Sequence, residues 1–149
     1  MEIINSIAAV LMAIISYAVV YWFSALVHEL AHCVVGTFYG VKAVKIKPAP
    51  LAWETHFICD KNWDKMMSKP TSKLAMAGAG WVAHILMLVT SVLVTVHYGP
   101  DILGGYVKKL AWVNAILVIW LAIPTGKPDI DSDMCYEAIR DLRKAKQAA

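Results

Sequence analysis

Residues 21–40 read YWFSALVHELAHCVVGTFYG, and HELAH at their centre sets His28, Glu29 and His32 in an otherwise apolar run. Across residues 3–41, Glu29 is the only charged side chain. Such a run is long enough to cross a bilayer, whose hydrocarbon is about 30 Å thick, at about 1.5 Å per helical residue. An isolated charge at that depth costs a few kcal/mol or more, so Glu29 and the histidines need a compensating partner. A metal ion is the first candidate. No Gly, Pro or Asn cluster interrupts the run to make a tight hairpin, which predicts one long helix over about residues 3–38, with a break near Ser16 as the alternative.

The rest of the chain continues the pattern. Of its 149 residues, 59% are hydrophobic, enough for one domain and well above the apolar share of an ordinary globular protein. Residues 74–100 and 110–126 carry no Lys, Arg, Asp or Glu. Spans are therefore expected at about residues 71–97 and 104–124, and the fold class is an all-α membrane protein with about three transmembrane helices. The N-terminus lacks the basic n-region of a signal peptide and is expected to be retained. Three cysteines, one of them inside the first apolar run, imply reduced thiols and no disulfide framework.

Charge sits between and after the spans. Lys42, Lys45, Lys47, Lys61, Lys65, Lys69 and Lys73 outnumber Glu54, Asp60 and Asp64, and the tail holds Lys127, Arg140, Arg143, Lys144 and Lys146. With three crossings these regions share one side, which the positive-inside rule makes cytoplasmic. The lysines flank membrane segments and match no nucleic-acid-binding motif, so a nucleic-acid partner is excluded. Within the first loop, VKAVKIK and WETHFIC alternate with period two around PAP, which predicts a short β-hairpin-like segment. After Pro124, DIDSD leads into a basic amphipathic helix, about residues 133–147, with Met134, Ala138, Ile139 and Leu142 on one side.

The metal reading can be built on residue types. His28 and His32, four apart on a helix, project from one face and reach a single ion, while Glu29 stands about 100° round beside it. Catalytic zinc takes three protein ligands and keeps a fourth position for water. Spacing alone leaves Asp129, Asp131, Asp133, His84 and His56 open as the third ligand. Asp131, Ser132 or Asp133 also suits the N-cap of the following helix. His84 lies on a ridge with Gly80, Ser91 and Thr95 that is expected to face protein, which directs it toward the site as an oxyanion- or substrate-stabilising group.

These residues resemble the site-2 proteases, intramembrane zinc metalloproteases, over about a third of the chain. SALVHELAHCVVG (residues 24–36) is similar to the family's zinc helix. GAGWVAHIL (78–86) is similar to its G-P-x-x-N helix, with Gly80 at the glycine and His84 at the asparagine. NAILVIWLAIPTGKPDIDSD (114–133) is similar to the segment that supplies the aspartate ligand. Trp81 stands in place of the proline, Leu121 of an asparagine and Met134 of a glycine. The resemblance implies a minimal three-helix zinc endopeptidase that cleaves a transmembrane protein substrate within the lipid bilayer. His28, His32 and Asp133 would be the ligands, Asp129 the choice under a shorter loop, and Glu29 and His84 the catalytic groups. The departures favour a second class, a non-catalytic relative that binds a membrane partner.

Overall fold

The computed structural model describes residues 2–48, 53–58, 60–126 and 131–148. Helix α1 (Glu2–Phe38) is followed by strands β1 (Ala43–Pro48) and β2 (Trp53–Phe57), a short α2 (Lys61–Met67), α3 (Pro70–Tyr98), a 3-10 turn (Ile102–Gly105), α4 (Tyr106–Leu121) and α5 (Asp131–Gln147). The first apolar run is one unbroken helix of 37 residues, with no break at Ser16. Inside it the Ser16 hydroxyl donates to the Ala13 carbonyl, a bond made within the helix that leaves the ladder continuous.

The described stretches of α1 and α3 are long and apolar enough to cross a membrane. The third expected span is shorter than residues 104–124: α4 has 16 residues. Its start is set by Gly105, whose φ of +75° is a left-handed conformation open to glycine, and its end by the turn before Pro124. Lys108 and Lys109 sit in its first turn. Lys109 Nζ donates to the Ser16 hydroxyl at 2.8 Å and lies over the rings of Tyr106 and Tyr17 at 4.9 and 5.8 Å. This ties the start of α4 to the middle of α1.

Helix α3 is central and packs on α1, α4 and α5. Small residues allow the approach: Ala77, Ala79, Gly80 and Ala83 of α3 are buried. The distribution of polarity is inverted relative to a water-soluble protein. Among the described residues, eight polar or charged side chains are buried beside nine apolar ones, while large apolar side chains such as Leu93, Val96, Trp120 and Phe38 face outward.

The hairpin forms as expected, with β1 and β2 antiparallel, Ile46 opposite Thr55 and Pro48 opposite Trp53; its connection lies outside the described residues. Trp53 fixes it to α1 by donating to the Trp22 carbonyl at 3.0 Å and meeting the Trp22 ring edge to face. Below it, Val41, Met66 and Met76 form a small core with Val35, Phe57 and Trp63 around it. At the other side, Trp81 Nε1–H donates to the Val118 carbonyl and the Tyr136 hydroxyl to the Ala122 carbonyl, satisfying acceptors that the end of α4 leaves unpaired. Helix α5 already includes Asp131 and Ser132, ahead of the expected start at about residue 133.

Candidate metal centre

His28 and His32 lie one turn apart on α1, with ring centroids 4.8 Å apart, and both face α3 and the first turn of α5. Asp131 Oδ2 lies 3.0 Å from His28 Nε2 and 3.0 Å from His32 Nε2, and the two Nε2 atoms are 3.1 Å apart. Among the described residues, these three form the group whose ligand atoms converge closely enough to hold a metal ion.

The protonation of His32 is set by its far nitrogen. Its Nδ1–H donates to the Met76 carbonyl at 2.9 Å, and a carbonyl can only accept. In the neutral ring, Nε2 is then a bare acceptor facing a carboxylate oxygen and another imidazole nitrogen. Acceptors gathered this closely repel one another unless a proton or a metal ion lies among them. Tetrahedral zinc with bonds of about 2.0–2.1 Å separates its ligand atoms by roughly 3.3–3.4 Å, so the observed triangle needs only a small expansion to accept it. The donor set, two imidazoles and a carboxylate, also suits zinc.

The carboxylate in the cluster is Asp131, not the expected Asp133. Asp131 lies in the first described turn of α5 and points back at α1, while Asp133, two positions or about 200° further round, faces the end of α4. There the Asp133 carboxylate accepts from the Thr125 N–H, the Thr125 hydroxyl and the Gly126 N–H, each at 2.9 Å. It holds the turn that delivers α5. Burial by itself pushes the Asp131 carboxyl up, but in the metal-free site with both rings protonated, the Nε2–H groups of His28 and His32 donate to it and with their charge hold it down at about 2. Asp129 lies outside the described residues, and His56 is on β2, exposed and away from the cluster.

His84 is brought to the site, but not in the expected role. It is 2% exposed, and both ring nitrogens are engaged: Nε2 with His28 Nδ1 at 3.1 Å and Nδ1 with Asn114 Oδ1 at 2.7 Å. No nitrogen is left to face an oxyanion or a substrate. Glu29 is half-buried one position after His28, near enough for its charge to act on His32. Among the described residues its carboxylate makes no hydrogen bond.

Of two further contributors, Gly80 already stands out in the sequence on the ridge with His84, although its contact does not. Gly80 lies against the His28 ring, and a Cβ built there would fall 2.1 Å from Cε1. The Met76 carbonyl, a backbone group, has no signature at all. Asn114 did leave one, as the sole polar residue of its apolar run. Beside the cluster, an apolar cleft of about 690 Å³ runs between α1, α3 and α5, lined among others by Val34, Gly78, Val82, Leu121, Asp131 and Ile139. No family model matches this chain, and no curated protein or solved structure matches it, which leaves the geometry of the site to carry its reading.

Proposed function

We propose that this chain is an intramembrane zinc endopeptidase that hydrolyses a peptide bond of a membrane-embedded substrate helix. The observation that carries it is the convergence of His28 Nε2, His32 Nε2 and Asp131 Oδ2 within 3.0–3.1 Å beside an uncommitted glutamate on the same helix. The inverted polarity supports a bilayer as the surroundings, with α4 as a third crossing and the lysine-rich loop and C-terminus on the cytoplasmic side. The alternation of His28, Glu29 and His32 is the pattern that the site-2 proteases share.

His28, His32 and Asp131 would hold the ion. When bound, zinc supplies a Lewis acid and a water whose pKa falls toward about 7. Glu29 would accept a proton from the attacking water and deliver it to the leaving amine. The apolar cleft, with Asp131 in its wall, takes substrate side chains beside the cluster. A helix offers no free backbone for attack, so the substrate must unwind, and a strand of the β1–β2 hairpin pairs with the extended segment.

The test is zinc content of the purified protein together with cleavage of co-expressed single-span substrates. Wild type should contain zinc and cleave; Glu29→Gln should keep zinc and lose turnover. Turnover by Glu29→Gln at the wild-type rate would overturn the assignment of the base. Zinc retained with no cleavage by wild type would favour a metal-holding protein that binds a membrane partner, the reading to which His84 and Trp81, in place of the family's asparagine and proline, lend weight.

A further inference from the structure

A chain of hydrogen bonds starts on α4 and ends at the metal centre. The Asn114 side chain is fully buried and its Nδ2 donates to the Leu110 carbonyl at 2.8 Å and to the Ser24 hydroxyl at 3.1 Å. A carbonyl only accepts, so Nδ2 must point that way and Oδ1 must face His84. Oδ1 likewise only accepts, which places the proton of His84 on Nδ1, 2.7 Å away. His84 Nε2 is then an acceptor in the neutral ring. It meets His28 Nδ1 at 3.1 Å, so the proton of that pair belongs to His28 Nδ1. The lone pair of His28 is left on Nε2, aimed at Asp131 and His32.

We infer that His84 and Asn114 are positioning residues that fix the tautomer of His28, so that its Nε2 is presented to the metal as a bare ligand. The assignment rests on the metal reading above but not on peptidase activity. It divides the work between two devices. His32 is set by a single backbone carbonyl from α3, which no substitution of Met76 removes. His28 is set by a relay of two side chains whose polarity originates in a backbone carbonyl of α4. Each link is directional, because the Leu110 carbonyl admits only one orientation of the Asn114 amide and that orientation admits only one tautomer of each ring. A neutral imidazole held this way is also oriented in the plane that ligation needs, as other ligating histidines are by a carbonyl or carboxylate on their far nitrogen.

The experiment measures zinc affinity by chelator competition in detergent for wild type, His84→Leu, His84→Gln and Asn114→Leu, with ring tautomers read by nitrogen NMR on the zinc-loaded wild type. Leucine at position 84 or 114 removes the acceptor relay, and affinity should fall about 10–100-fold. In His84→Gln the introduced amide oxygen can still accept from His28 Nδ1–H, so this variant should stay within about threefold of wild type, a rescue that loss of packing alone does not give. NMR should show His84 protonated on Nδ1 and unprotonated on Nε2, a measurement that stands even if the leucine variants do not fold. His84 protonated on Nε2, or wild-type affinity in His84→Leu, overturns the inference. A wild type that takes up no zinc overturns the metal reading and this inference with it, whereas zinc bound without cleavage sinks only the peptidase reading.

Discussion

Replacing Gly80 with alanine adds one methyl group at the most crowded point of the site. The new Cβ would lie 2.1 Å from His28 Cε1, 2.3 Å from Nδ1 and 2.5 Å from Nε2, where ordinary contact begins at 3.4 Å. The ring must therefore retreat by 3.4 − 2.1 = 1.3 Å. It has little freedom to do so, since Asp131 holds it at 3.0 Å on one side and His84 at 3.1 Å on the other. A movement of that size stretches at least one of these contacts beyond hydrogen-bonding range. If α3 shifts instead, the buried α1–α3 contact is overpacked, at a cost of about 1–3 kcal/mol. Losing a well-placed ligand should weaken zinc binding by 10-fold or much more, about 1.4 kcal/mol for each factor of ten. The control is Gly78→Ala on the same helix, where nothing lies within 4 Å of the added Cβ. That change should leave zinc binding intact and, by helix propensity, stabilise the protein by up to about 1 kcal/mol. Chelator competition on detergent-purified protein measures both. If Gly80→Ala binds zinc as tightly as Gly78→Ala, the close packing of His28 on α3 is not how the site is built.

Alanine at position 131 should abolish tight zinc binding, whereas Asp133→Ala should retain zinc and lose about 1–2 kcal/mol of stability with the cap on Thr125 and Gly126; the reverse pattern would reassign the ligand. In chelator, Asp131 gives the fold a pH dependence of known sign. Its carboxyl is lowered from 3.8 to about 2 by the protonated His28 and His32, so while those rings are charged its contribution is present above 3.8 and disappears as pH falls through about 2, about 2 kcal/mol in all. Acid titration of wild type against Asp131→Asn should show that difference shrinking over this interval, and a difference that grows toward acid would reverse the argument. Trp81→Phe should keep zinc and cost about 1 kcal/mol by orphaning the Val118 carbonyl, as read by thermal unfolding in detergent.

The long helices were legible because their signal is repeated many times over: dozens of apolar residues without charge define α1 and α3, and no single substitution obscures them. His28 and His32 were legible because one helix carries both, and spacing on a helix fixes geometry. The third member of the cluster was not, because spacing alone leaves Asp129, Asp131 and Asp133 equivalent, and the choice depends on the rotational phase of α5, which shows in the contacts of Asp133 with Thr125 and Gly126. A shift of two residues turns the side chain about 200°. The role of His84 was hidden for a different reason. The ridge placed it facing inward, but only the orientation of the Asn114 amide shows that both its nitrogens are occupied.

Helix α5 lies outside the two long apolar helices, yet it carries Asp131. It is also tied to the bundle by the Asp133 carboxylate on Thr125 and Gly126, by the buried Ala138, by an ion pair between Lys73 and Glu137 and by the Tyr136 hydroxyl on the Ala122 carbonyl. An ion held by Asp131 would share its free energy of binding with the docking of this helix. At a free-metal concentration a hundred times the dissociation constant, that linkage is worth about 2.7 kcal/mol. Loading of the centre would then be read at α5, as added protection of that helix from proteases and of Cys135 from thiol reagents.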